Sequence, residues 1–182
     1  MKIYKELVQK LIIIVFCLIV FFIPQNSYSE EGMLRSEVKM GSEDMYFSEY
    51  VGKIYQEYAD RDFEYVYQQL HPDIKEMITE NEYRVFQEKN FNKYKLKLDE
   101  IKVGSEVESI ELPDEFSDIV VNIEGREIEI YKVPLSYNMD FTVAGSKKTR
   151  QIENQVYILK DNNQLYLLWD PSIIKKGEKG EE

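Results

Sequence analysis

The chain has 182 residues, a formal net charge of -11, one cysteine and one histidine. An acidic surplus of that size repels nucleic acid and anionic lipid headgroups. One histidine and one cysteine leave no ordinary ligand set for zinc.

Lys2, Lys5 and Lys10 form a basic start, followed by an uninterrupted apolar run over residues 11–23. Pro24 breaks the run, and Ser27-Tyr28-Ser29 offers small residues at the two positions that a signal peptidase reads. The run suits a signal sequence and falls short of the about 20 residues that a membrane span needs. Residues 1–29 are therefore expected to be a signal peptide cleaved after Ser29. Val15-Phe16 precede Cys17 where a lipidation motif wants small residues, which argues against lipoprotein processing. The alternative is an uncleaved anchor, with Tyr4, Leu7 and Val8 lengthening the apolar segment. Cleavage would leave 153 residues, enough for a single domain with a real core. Three lysines and one glutamate go with the leader, so the net charge becomes -13 and no cysteine remains. Such a domain stands on packing without disulfides.

Residues 30–43 are polar and aperiodic and read as a flexible spacer. Phe47, Val51, Ile54, Tyr55 and Tyr58 then recur at helical spacing, with Asp44 placed to cap the helix. Asp60-Arg61-Asp62 interrupts, and Phe63, Val66, Tyr67 and Leu70 form a second apolar stripe. Pro72 is suited to a helix start, and the T-x-x-E spacing of Thr79 and Glu82 predicts a capping box opening a helix over residues 80–91. After Asn92 the period becomes two. Tyr94, Leu96 and Leu98 alternate with polar residues, and Ile101 and Val103 resume one position out of phase, which predicts a β-bulge near Asp99-Glu100. Residues 104–117 are acidic and irregular, with a weak strand around 107–112. Ile119, Val121 and Ile123 alternate, and Glu124-Gly125-Arg126 turns the chain into Ile128 and Ile130. A long alternation follows from Val133 to Val143, with Pro134 expected to place its end at a sheet edge or a bulge. Residues 144–149 read as a turn, 151–160 as a strand, and 161–164 as hairpin chemistry. The last strand, 165–169, is apolar on both faces and reads as a central one, with Trp169 packed near Phe47, Val51 or Phe86. Asp170-Pro171 ends it. Helices first and antiparallel strands afterwards predict an α+β domain over residues 44–176, with a charged tail at 177–182.

Several words in this order resemble the nuclear transport factor 2-like cone fold: Asp60-Arg61-Asp62-Phe63 between two helices, then Thr79-x-x-Glu82 before a third. More specifically, Thr142-Val143-Ala144-Gly145, a strand, and then Trp169-Asp170-Pro171-Ser172-Ile173-Ile174 resemble the non-catalytic N-terminal domain of methicillin-resistance-type penicillin-binding proteins. Members of that family carry a transpeptidase domain after this one, whereas this sequence ends eight residues past Ile174. The resemblance implies a fold and a Gram-positive envelope setting without bond-making chemistry.

Fragments of serine-acyltransferase motifs occur by chance. Ser36 and Lys39 fit S-x-x-K, Ser136 and Asn138 fit S-x-N, and Lys148-Thr149-Arg150 imitates K-T-G. Activating such a serine needs a buried lysine that can lose its proton, and Lys39 lies in the polar spacer. Asp60 and Asp62 open like a calcium loop but have Tyr65 where the turning glycine belongs. His71 reads as a helix-end residue. An isomerase or dehydratase on the same cone would need an ionisable group facing inward from the sheet. Tyr137 is the one polar residue on the apolar side of 133–143, Asp140 points the other way, and Asp170 reads as a cap at the strand exit. Tyr55, Tyr58, Tyr67 and Tyr83 fall on apolar stripes and read as core.

The expectation is an exported, non-catalytic binding or scaffolding domain with no catalytic, metal or cofactor site. Its partner would be another envelope protein or a cell-wall component, and neither nucleic acid nor a lipid surface. Two alternatives remain: a small-ligand pocket or enzyme on the same fold, and an anchored subunit of a conjugation or secretion machine.

Overall fold

The computed structural model describes residues 42–120 and 128–174. The expected leader, nearly all of the expected spacer, Val121, Ile123 and the expected turn at Glu124-Gly125-Arg126, and the expected charged tail lie outside the described residues. Helices come first and an antiparallel sheet follows, which makes the chain an α+β protein. No described helix is long and apolar enough to cross a membrane.

Helix α1 (Ser42–Ala59) begins two residues before Asp44, so that residue lies within the helix. Its apolar stripe buries Phe47, Val51 and Ile54 completely. Arg61 takes a positive φ of 67° and Asp62 caps α2 (Phe63–Gln68), its Oδ1 accepting the Tyr65 amide at 2.9 Å. The Asp60-x-Asp62 pair is thus a turn and a cap. His71 caps α3 (Pro72–Met77), which starts on its proline. Helix α4 (Glu80–Tyr94) opens with the expected capping box. Glu82 donates its amide to Thr79 Oγ1 at 3.2 Å and accepts the Thr79 amide at 2.7 Å. Tyr94 belongs to the last turn of this helix and not to a strand, because Lys95 ends it in the left-handed region.

Strand β1 (Lys97–Val103) carries the expected bulge: Glu100 has φ 50° and the register against the next long strand slips between Asp99 and Lys102. A short β2 (Glu108–Ile110) and a one-turn α5 (Asp114–Ser117) follow. Phe116, Ile119 and Val120 are buried there as a plug, so the strand expected to open at Ile119 does not do so. Strands β3 (Ile128–Val143) and β4 (Ser146–Asp161) form an unbroken hairpin, with β5 (Gln164–Leu167) after it. The sheet order is β1-β3-β4-β5, and β2 also pairs with β3.

Three expectations are corrected by this topology. The last strand stops at Leu167 and sits at the end of the order, so β3 and β4 are central instead. The β3–β4 turn is two residues, Ala144 and Gly145, with φ of 51° and 80°, so residues 146–150 are strand. Pro134 lies inside a central strand. Its carbonyl, and therefore its missing amide hydrogen, faces the side where β1 ends and β2 has not begun. There it accepts the Gly104 amide at 2.8 Å. A proline is tolerated because no donor is required at that gap.

The two faces of the sheet follow from the β3–β4 register. Tyr131 with Ile158, Val133 with Val156, Leu135 with Asn154, and Tyr137 with Ile152 share the face covered by α1 and α4. Ile130 with Leu159 and Lys132 with Tyr157 share the outer face, where Phe116 packs on Tyr157 with ring centroids 5.6 Å apart. Trp169, just past β5, is half-buried and packs edge-on against Tyr83 at 5.2 Å and Phe86 at 6.2 Å. Phe47 stacks on Tyr131 instead.

Two glycines test the packing. A Cβ on Gly104 would sit 2.9 Å from the Cβ of Pro134, in a rigid ring that cannot swing aside. Gly104→Ala is expected to cost about 1–3 kcal/mol in urea unfolding. On Gly52, inside α1, the same atom meets only Val103 at 3.6 Å, so Gly52→Ala is expected to stabilise by about 0.5–1 kcal/mol. Equal effects of the two changes would contradict this packing. Trp169→Ala should cost less than the about 3–5 kcal/mol of a fully enclosed ring, and native Trp169 fluorescence should still shift red on unfolding.

Candidate functional site: an enclosed cluster of phenols and amides

Between α1, α4 and the inner face of β3 and β4 the core turns polar. Tyr55 and Tyr58 lie one turn apart on α1 at 6.1 Å between rings, and Tyr137 from β3 stands 6.0 Å from Tyr55. Helix α4 adds Tyr83 and Gln87, both buried, and β4 adds buried Asn154. The Tyr58 hydroxyl donates to Gln87 Oε1 at 3.0 Å, tying α1 to α4 across 29 residues. Phe63 and Phe91 close the group with edge-on contacts to Tyr58 at 5.7 and 5.2 Å.

Burial dominates the electrostatics. It pushes the Tyr55 phenol well above its ordinary range, with Tyr137 and Tyr58 adding to the rise and a side-chain hydrogen bond with Asn154 opposing it. Tyr58 is raised by burial, then by Tyr83 and Tyr137. Tyr83 is raised by burial and by Tyr55, against a hydrogen bond with Gln87. Burial takes Tyr137 up to about 12. At neutral pH these hydroxyls can donate hydrogen bonds and hold a shape, but they are poor partners for proton exchange.

Two further tyrosines bind backbone. Tyr50 donates to the Leu165 carbonyl at 3.0 Å, fastening α1 to β5, and Tyr67 donates to the Ile78 carbonyl at 3.0 Å.

The other residues singled out by sequence are dispersed. Ser136 and Asn138 pair with Glu153 and Gln151 on the outer face, whereas Lys148 pairs with Phe141 on the opposite one. Ser36 and Lys39 lie outside the described residues. Asp140 faces outward and binds Thr149 Oγ1 at 2.5 Å and Lys147 at 2.7 Å; the Lys147 hydrogen bond, then that of Thr149, hold its carboxyl below the usual range. Asp170 accepts the amide of Ser172 at 2.8 Å and its hydroxyl at 2.8 Å, as a cap at the strand exit would. His71 is buried, with Nδ1 accepting the Asp73 amide at 3.3 Å and its ring edge-on to Tyr166 at 5.2 Å. Among the described residues no three His, Cys, Asp or Glu side chains gather as a metal site.

Gln87 and Asn154 escaped the sequence reading. Asn154 was detectable, since it breaks an apolar alternation formed by Ile152, Val156 and Ile158. Gln87 stands four residues from both Tyr83 and Phe91, on the same buried stripe. A separate cleft of about 360 Å³ lies behind β2, between Ile110, Leu112, Val120, Ile130 and Glu129. The Glu129 side chain stands on the opposite, inner face of β3, with Lys160 and Tyr131, whose hydrogen bonds, in that order, lower its carboxyl.

No family model matches this chain, and no curated protein or solved structure matches it.

Burial of these phenols makes stability depend on pH in the alkaline range. Their folded values lie above the ordinary 10.0, so the folded chain keeps protons that the unfolded chain loses. The stability they contribute is fully present below about pH 10 and falls as pH rises toward the folded values, by about 1.4 kcal/mol per pH unit per phenol. Phenolate absorbance for these residues should appear together with loss of helical circular dichroism. Early, independent titration would contradict their enclosure. Tyr58→Phe, which leaves Gln87 Oε1 buried without its donor, should cost about 1–3 kcal/mol.

Proposed function

We propose that this chain is an exported, non-catalytic binding or scaffolding domain at the outer face of a bacterial envelope. In this reading it is built on a nuclear transport factor 2-like cone and related to the N-terminal domain of penicillin-binding proteins. The apolar run at 11–23 with Ser27-Tyr28-Ser29 supports export. The order of amphipathic helices followed by a long antiparallel hairpin supports the cone.

The observation that carries the non-catalytic part is the chemistry of the enclosed cluster. Its phenols and amides are partly satisfied by one another, as Tyr58 is by Gln87. Burial holds the phenol protons far from the range in which a general acid or base works at neutral pH. Such a cluster fixes the position of α1 and α4 over the sheet and leaves recognition to the outer surface. The second reading, a small-ligand pocket, draws on the same hydroxyls and amides, which could orient a neutral polar molecule.

Protein recovered from the culture medium should begin at or near Glu30 on N-terminal sequencing, and full-length chain retained in membranes would favour the anchored machine subunit. A labelled β-lactam should leave no covalent adduct on the protein. An adduct at Ser36 by mass spectrometry would overturn the non-catalytic reading.

A further inference from the structure

Strand β4 is paired on one side along its whole length and on the other only near its end. β3 covers residues 146–161, whereas β5 covers only Ile158 to Asp161. The Tyr157 carbonyl still accepts the Leu168 amide at 3.0 Å, and the Gln155 amide is taken by the neighbouring Asn154 Oδ1 at 2.8 Å. Alternation from Tyr157 places the amides and carbonyls of Lys147, Thr149, Gln151 and Glu153 on the same open side. Among the described residues nothing pairs with them there. Residues 146–151 and Glu153 are all exposed.

The side chains at the turn end of this edge carry a charge opposite to that of the molecule, and Glu153 is the acid at its other end. Lys147, Lys148 and Arg150 fall within four residues without an acid among them, on a chain of net charge -11. Lys147 is turned to Asp140 on the outer face. Lys148 and Arg150 share the other face, beside Phe141 and Met139 of β3.

We propose that the open edge of β4 is a strand-addition site for an extended segment of a partner protein bearing acidic side chains at alternate positions. Thr149, Gln151 and Glu153 would supply the backbone hydrogen bonds, and two acids two residues apart would face Lys148 and Arg150. A second copy of this chain is a poorer occupant, since it brings the same basic edge and the same overall negative charge. Exposed edges also carry lysine simply to discourage pairing, and the experiment separates that role from recognition. The site gives the binding domain proposed above its partner class and rests on that reading. Export and peptide binding can nevertheless fail independently of each other.

The probe is a blocked heptapeptide, Thr-Glu-Thr-Glu-Thr-Glu-Thr, with lysine in place of glutamate as the control, added to the full-length chain. Hydrogen exchange by nuclear magnetic resonance should slow by about tenfold or more at the Thr149, Gln151 and Glu153 amides with the acidic peptide alone. Gln151→Pro removes an outward amide and no bond to β3, so it should keep the melting temperature and abolish the effect. The double variant Lys148→Glu, Arg150→Glu should weaken the acidic peptide about tenfold and favour the basic one. No slowing, equal slowing by both peptides, or slowing retained in Gln151→Pro would overturn the proposal. So would a parent that ignores the peptide while a Lys148→Thr, Arg150→Thr variant self-associates, the mark of a merely guarded edge.

Discussion

The continuous register between β3 and β4, from Ile128 opposite Asp161 to Val143 opposite Ser146, is the constraint on which the other elements depend. Because side chains alternate strictly, that single ladder decides what faces the helices and what faces outward. Tyr131 and Tyr137 are committed inward, where Phe47 and Tyr55 of α1 meet them. Lys132 is committed outward, where its ammonium reaches Glu108 of β2 at 2.5 Å. A slip of one residue would expose Val133 and Leu135 and bury Lys132, so the apolar pattern and the pairing enforce each other. The bulge at Glu100 then lets β1 follow the same ribbon while keeping Leu98 buried.

The polar cluster inside this frame is a second level of specification. An apolar core tolerates sliding and repacking, whereas Tyr58 bonded to Gln87 permits one placement of α1 against α4. Tyr50 adds a second anchor by donating to the Leu165 carbonyl at the far edge of the sheet. Tyrosine suits these positions because the ring supplies apolar area while the hydroxyl spans to a distant acceptor. Interior hydroxyls here act as fasteners between elements, which explains why so many tyrosines fall on stripes that otherwise read as core.

Much of the local structure was legible because its chemistry is local. Thr79 with Glu82, Pro72 at a helix start and the phase slip near Asp99 each carry their own cause within a few residues. Features that depend on two distant segments were not legible. Residues 165–169 looked central because they are apolar on both faces, yet β5 is at the end of the order. Its outer edge is covered instead by the chain after α2, where Leu70 bridges to Leu167 and the Gln69 carbonyl accepts the Leu167 amide at 2.7 Å. Pro134 looked like an edge marker because a single strand cannot reveal that two short partners take turns beside it. Residues 146–149 read as part of a turn because a hairpin arm held by its own backbone ladder needs no apolar side chains. In the candidate site the tyrosines were visible as core and Asn154 as a break in the apolar alternation of Ile152, Val156 and Ile158, while the meeting of Gln87 with Tyr58 depends on two helices 29 residues apart.

The two edges of the long ribbon are therefore treated differently. Along β3 the free side is filled by β1 and β2 in succession, with Pro134 and Gly104 closing the gap between them. Along β4 the described residues fill the free side only at its base, and the outward amides and carbonyls of Lys147, Thr149, Gln151 and Glu153 meet no partner among the described residues. Filling that edge with a further strand of the same chain would have hidden it, and an apolar edge would invite self-association. Lysine and arginine there keep the edge open in an acidic molecule while restricting what can pair with it. The fold thus separates its tasks: the inward faces hold the helices through phenols and amides, and the outward backbone of one strand remains available for recognition.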